Sequence, residues 1–292
     1  MSFVKEDGTL DKTGLLKAQE LSARAGYRMT LPTLELKKWD KNQKKHRLTG
    51  CSLTGYQDAI NKMKLQEDKK SQSKLLKELR EVAHKSNREY AEELGLNPST
   101  NVTAIKPEGT LSLLPTVSSG LHFSHSPYYI RRIRITEKDP LYKLAVEMGY
   151  PVFSENFDEK NTTKVVEFPV KAPEGVTKDD VSAIEQLEIY KMFQENYTDQ
   201  NTSITVHVRD NEWEDVKKWI HENWDCFVGI SFLSYDNSYY PLLPYESTTK
   251  EDYEERLKKC RPFNVYKLKK YEDVYEEYEL ESGCESGLCP TR

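Results

Sequence analysis

Between residues 101 and 233 short β-leaning runs alternate with helical ones, and that alternation limits the fold more than any other feature. The runs "NVTAIK" (101–106), "YYIRRIRI" (128–135), "KVVEFPV" (164–170), "SITVHV" (203–208) and "CFVGISFL" (226–233) read as strands. Between them, "LYKLAVEMG" (141–149), "KDDVSAIEQLEIYKMFQENY" (178–197) and "NEWEDVKKWIHENW" (211–224) read as helices, the second with Asp179 and Asp180 in its first turn. Strand–helix alternation of this kind predicts an α/β fold with parallel pairing. Upstream, Leu15, Leu16, Ala18, Leu21 and Ala25 recur at three- and four-residue steps and predict a helix over 13–30. "LTGCSLTGYQDAI" reads as a strand, a turn and a helix opening near Gln57. A long polar helix over 66–95 ends at Gly95, with Pro98 as a stop; its thin stripe of Leu75, Leu76, Leu79, Val82 and Ala83 reads as a solvated outer helix. "KEDYEERLKKC" adds a helix after residue 250.

Charged residues make up 31% of the chain, above the roughly 25% of an average globular domain, so the surface must be heavily charged. A net charge of −5 gives no bulk signal for nucleic acid as a partner. Locally the balance shifts: 31–90 carries 15 Lys/Arg against 8 Asp/Glu, whereas 271–285 carries seven acids and no base. No run of about 18 apolar residues is present, so no membrane partner is expected. "MSFVKEDGTLDK" lacks the apolar stretch of a signal peptide, which points to a cytoplasmic location. Cys51, Cys226 and Cys260 then read as reduced thiols.

Three stretches carry chemistry. In "IKPEGTLSLL" a strand runs into Pro107, Glu108, Gly109, Thr110, Leu111 and Ser112. Pro ends the ladder, Gly109 lets the backbone turn or approach a ligand, and Thr110 and Ser112 offer hydroxyls. Free N–H groups at such a helix start suit phosphate, although Pro-x-Gly-Thr also describes ordinary turns. In "PTVSSGLHFSHSPYYIRRIR" a hydroxyl-rich loop at Ser118, Ser119 and Gly120 precedes His122 and His125; these two histidines lack a nearby third ligand, so no metal site is expected. The loop packs on a ligand or simply connects two strands.

The third stretch is "ESGCESGLCPTR", residues 281–292, with Cys284 and Cys289 five positions apart. The spacing allows an intramolecular disulfide, with Gly287 permitting the tight loop. A mobile redox pair is the better expectation than a zinc site, because dithiol exchange needs thiols that travel, and a Gly/Ser segment moves freely. The 22 residues from 271 span up to ~70 Å when extended. Glu281 and Glu285 should raise the thiol pKa values and keep the pair slow until it is docked.

Taken in order, "RLTGCSLTGYQDAI" (47–60), "AIKPEGTLSLLPTVSSGLHFSHSPYYIRRIR" (104–134), the looser "TDQNTSITVHV" (198–208), "FVGISFL" (227–233) and the closing "CESGLCPTR" resemble the monomeric, adenosylcobalamin-dependent class II ribonucleoside-triphosphate reductases. The resemblance implies part of a ten-stranded α/β barrel, from about residue 1 to 250, a peripheral helical and acidic segment over 251–280, and a flexible dithiol tail over 281–292. By the same resemblance, Pro107–Ser112 is the turn that holds the substrate phosphates, and Ser118–Gly120 lies near substrate and cofactor. Cys284 and Cys289 are then the shuttle that re-reduces an active-site disulfide and is recharged by thioredoxin. Adenosylcobalamin is the implied cofactor and a ribonucleoside triphosphate the implied substrate. In the family a thiyl radical on a finger-loop cysteine removes the substrate 3′ hydrogen, a glutamate assists loss of the 2′ hydroxyl, and two further cysteines supply two electrons.

One departure matters. The sequence contains no Cys-x-Glu, and Cys51, Cys226 and Cys260 match none of the family's reacting positions. The expectation is therefore a C-terminal portion of a split or truncated reductase, inactive by itself and completed by an N-terminal reductase part that carries the radical cysteine. A non-catalytic nucleotide-binding remnant or regulatory fragment is the alternative.

Overall fold

A computed structural model describes residues 3–272 apart from 114, 157 and 236–240. Its elements run α1 (Lys12–Arg28), α2 (Lys37–His46), α3 (Tyr56–Met63), α4 (Lys69–Glu93), β1 (Tyr128–Thr136), α5 (Pro140–Glu147), β2 (Val152–Ser154) and β3 (Thr163–Lys171). Then come α6 (Ala183–Asn196), β4 (Thr205–Val208), α7 (Trp213–Glu222), β5 (Ser231–Ser234), β6 (Tyr245–Ser247) and α8 (Lys250–Lys259). The described chain divides into two compact units, one of 3–124 with 173–235, the other of 125–172 with 241–272.

In the first unit four extended segments lie side by side and run parallel. Cys51 bridges Thr103 and Ile105 bridges Thr202, and β4 then pairs with β5 from Thr205 opposite Ser231 to Val208 opposite Ser234. Backbone bonds join the segments in that order: Cys51 N–H donates to Val102 O at 2.8 Å, Ser203 N–H to Ile105 O at 2.9 Å and Ser231 N–H to Ile204 O at 3.2 Å. This is the parallel α/β pairing that the alternation predicts. Helices cover one face through a core that includes Leu76, Leu187, Tyr190, Phe193, Tyr197 and Val206.

Helix α4 is less solvated than its composition suggests. It packs between α1 and α6, and Leu76, Leu79 and Ala83 are buried. Polar residues share that buried face, and each finds a partner. Gln72 donates to Leu65 O and accepts from Tyr56 OH, Ser86 donates to Glu20 O, and Asn87 exchanges hydrogen bonds with Ser99. Counting only apolar side chains therefore understates the face that packs.

In the second unit the sheet is antiparallel, in the order β2-β3-β1-β6. This differs from the parallel expectation. The chain crosses from β1 through α5 to β2 in the parallel sense, but β3 then enters between them, antiparallel to both. Arg132 of β1 stands directly opposite Glu167 of β3, and both side chains are buried. The Glu167 carboxylate accepts from Arg132 and from Arg256 of α8, each at 2.6 Å, which ties that helix to the sheet. Pro169 sits in β3 because its nitrogen faces the side that β2 has already left, where no ladder donor is needed.

Candidate active site

The site of interest begins where the segment 102–106 leaves the parallel array. Pro107 follows Lys106, and Glu108 turns the chain in the left-handed region at φ 54. One helical turn then closes, with Ser112 N–H donating to Glu108 O (3.0 Å) and Leu113 N–H to Thr110 O (3.1 Å). Among the described residues nothing accepts from the N–H groups of Gly109, Thr110 or Leu111. Three open donors at the start of a helical turn form a site suited to an anion. The left-handed residue of the turn is thus Glu108 and not Gly109, which has open space around it. A non-glycine residue held there costs roughly 1–3 kcal/mol and persists only where its surroundings enforce it.

Thr110 is exposed, whereas Ser112 is buried at 1% and its Oγ lies 3.2 Å from Ser119 Oγ. The turn and the Ser118–Gly120 loop, distinct in the sequence, therefore meet hydroxyl to hydroxyl. Gly120 adopts φ 53, and a Cβ there would stand 2.8 Å from Lys106 O. The loop passes so close to the outgoing strand that only glycine fits without movement.

Helix α3 holds this loop from the other side. Gly55 N–H donates to Ser118 O (2.9 Å) and Tyr56 N–H to Gly120 O (3.2 Å), so the loop carbonyls satisfy donors at the helix start. Thr54 Oγ1 accepts from Gly120 N–H at 3.1 Å and donates to Ser118 O at 3.3 Å. Asp58, in the first turn of α3 and 1% exposed, accepts from Ser118 N–H through Oδ2 (2.7 Å) and from Ser124 Oγ through Oδ1 (2.9 Å).

His122 fixes the loop to β4. Its Nε2 accepts from Thr205 N–H at 3.0 Å, which makes Nδ1 the protonated nitrogen and lets it donate to Ser119 O at 3.0 Å. Burial pushes the imidazole pKa below its ordinary value and favours this neutral form. With both nitrogens engaged, His122 has none left for a metal. His125 lies in the second unit, its ring stacked 5.7 Å from Tyr245.

A cavity of about 270 Å³ adjoins these elements, lined by Leu15, Ala18, Leu53, Tyr56, Pro115 and Val117 among others. Its polar neighbours Ser52 and Thr54 are engaged with Lys106 N–H and with the loop. At that size it lies below the roughly 300–1,000 Å³ of sites for drug-sized ligands and cannot enclose a corrinoid.

The structure brings together two of the three stretches singled out in the sequence. Cys284 and Cys289 lie outside the described residues. Composition did not single out Asp58 or Thr54. The available signal was Thr54-Gly55 followed by an acid in the first helical turn, a pattern that marks helix starts generally.

No family model matches the sequence. Among curated relatives, an adenosylcobalamin-dependent ribonucleoside-triphosphate reductase of Lactobacillus acidophilus is 29% identical over 266 residues, covering 87% of this chain and 35% of the relative. The protein of that name from Euglena gracilis is 31% identical over 239 residues, covering 80% and 32%. A probable adenosylcobalamin-dependent ribonucleoside-triphosphate reductase of Dictyostelium discoideum is 32% identical, covering 81% and 31%. Among solved structures, a B-12 dependent (class II) ribonucleotide reductase superposes with a TM-score of 0.75 at 25% identity, covering 90% of this chain and 40% of that one. The chain spans about a third of the length of the curated relatives it matches.

Proposed function

Because the chain is related in sequence and fold to adenosylcobalamin-dependent ribonucleoside-triphosphate reductases, we propose that it forms part of such an enzyme, which converts ribonucleoside triphosphates to 2′-deoxyribonucleoside triphosphates. The observation that carries this reading is the superposition over 90% of the chain, supported by a turn whose open N–H groups suit phosphate.

In this reading Gly109, Thr110 and Leu111 hold the substrate phosphates through backbone N–H groups, helped by the partial positive charge of the helical turn. Ser112 acts indirectly, through Ser119, because its own side chain is buried. Ser118–Gly120 forms the wall between the phosphate turn and β4. Reduction of the 2′ carbon consumes two electrons and two protons from a dithiol and releases water and a disulfide. Cys284 and Cys289 restore that dithiol by exchange and are themselves reduced by thioredoxin or a similar protein. The cofactor named for the relatives supplies the radical that starts turnover. The 270 Å³ cavity beside the turn is too small for it, and we assign its binding, with the radical cysteine and its glutamate, to the complete reductase fold. Retained nucleotide binding without turnover is the alternative, that of a regulatory or remnant protein.

Calorimetric titration of the chain with a ribonucleoside triphosphate tests the phosphate site. The triphosphate should bind measurably and the matching ribonucleoside at least about tenfold more weakly, since charge-assisted bonds to phosphate supply the difference. Equal affinity for both would remove the turn from the site.

A further inference from the structure

We propose that Asp58 is the positioning residue of this phosphate site, holding the Ser118–Ser124 loop so that the Pro107–Ser112 turn keeps its open donors in place. The inference rests on the phosphate role given above to that turn. The carboxylate is 1% exposed and spans the loop, with Oδ2 on Ser118 N–H at 2.7 Å and Oδ1 on Ser124 Oγ at 2.9 Å. No cation pairs with it among the described residues; its charge is met by these two donors and by the start of α3. A buried carboxylate so satisfied fixes two points of one loop at once, because losing either donor leaves charge unsolvated in the interior.

From the clamped loop two contacts lead outward. Ser119, next to Ser118, reaches Ser112 Oγ in the phosphate turn at 3.2 Å, and Ser119 O accepts from His122, whose other nitrogen is fixed by β4. Val117 N–H donates to Ser112 O at 3.0 Å, so backbone as well as side chain couples the loop to the turn. The turn is strained at Glu108, and the segment between it and the loop at Thr116, both left-handed, and such a form needs outside support. Among the described residues, Asp58 directs its side-chain hydrogen bonds to the loop and not to the turn. It acts on the turn through Ser118, Ser119 and Val117.

The test uses the full chain, with inorganic tripolyphosphate as the probe and amide hydrogen exchange of residues 115–124 as a second readout. Asp58→Ala should weaken tripolyphosphate binding by about tenfold or more and speed exchange of the loop, with α4 unchanged. Asp58→Asn should restore most of both, because its amide oxygen still accepts from Ser118 N–H while its nitrogen donates to Ser124 Oγ. A residue that merely stabilises the fold would instead raise exchange throughout α4. Should Asp58→Ala do so, Ser124→Ala decides, since it breaks one bond only; it should weaken binding by roughly threefold, and unchanged affinity overturns the proposal. Wild-type affinity in Asp58→Ala with a protected loop also overturns it and leaves the phosphate reading standing. A wild-type chain that binds no tripolyphosphate overturns both.

Discussion

At the scale of single residues, two glycines near the turn separate fold from function. Gly120 sits at φ 53 with Lys106 O 2.8 Å from where a Cβ would lie, whereas Gly109 has nothing within 4 Å. Gly120→Ala must strain the backbone and push on a carbonyl that cannot move alone, and a cost of about 1–3 kcal/mol follows. Gly109→Ala should leave the folding free energy within about 0.5 kcal/mol, as surface changes do. Urea unfolding of both variants checks this pair, and equal losses would show that the loop does not pass as close to Lys106 as described. Sequence alone marked both glycines and read Gly109 as allowing either a turn or close approach of a ligand; the left-handed turn falls on Glu108 instead. Nothing in "PEGT" shows that Glu108 is the left-handed residue, since glycine is the residue that adopts that region most readily.

At the scale of elements, the helices other than α2 (Lys37–His46), a highly charged stretch not read as a helix, and most strands were legible, since periodicity is local, but their partners were not. The start of α6 shows where local reading stopped short. Asp179 and Asp180 were assigned to its first turn, yet they belong to a separate short turn capped by Thr177 and Asp180. Helix α6 begins afresh at Ser182, whose side chain and that of Glu185 form a second capping box. Both patterns, Thr-x-x-Asp and Ser-x-x-Glu, were present in the sequence, five residues apart. The antiparallel sheet was less accessible. Alternation in β1 signals a strand but not which strand lies beside it, and the Arg132–Glu167 pair connects positions 35 residues apart. That pair gives a test of the element. Glu167→Leu leaves Arg132 and Arg256 facing each other without their carboxylate and should destabilise by about 3–5 kcal/mol. Asp252→Ala, which removes a half-exposed partner of Arg256 and of the Thr248 hydroxyl, should cost about 1 kcal/mol. Thermal unfolding that ranks the two variants in the opposite order would contradict the proposed tie between α8 and the sheet.

At the scale of the whole molecule, the four parallel segments of the first unit and the likeness to a B-12 dependent reductase fit a portion of a larger α/β barrel. From sequence, the alternation of strands and helices carried the α/β class with parallel pairing, and only the family resemblance implied the barrel. The candidate site was legible in part, because Pro107–Ser112 and Ser118–Gly120 stand out by composition. The clamp of Asp58, Thr54 and His122 was not, because it depends on side chains at and just before α3, and on a backbone N–H of β4, meeting a loop about sixty residues from one and eighty from the other. Formation of deoxyribonucleoside triphosphate tests the central claim most directly. The chain is mixed with a polypeptide carrying the rest of the reductase fold, adenosylcobalamin, a ribonucleoside triphosphate and either thioredoxin or a small dithiol. Product should form only when this chain is present, and Cys289→Ser should abolish turnover with thioredoxin while leaving it with the small dithiol. No product from a folded mixture, or equal loss with both reductants, would contradict the assignment of this chain to the enzyme or of its terminal cysteines to the shuttle.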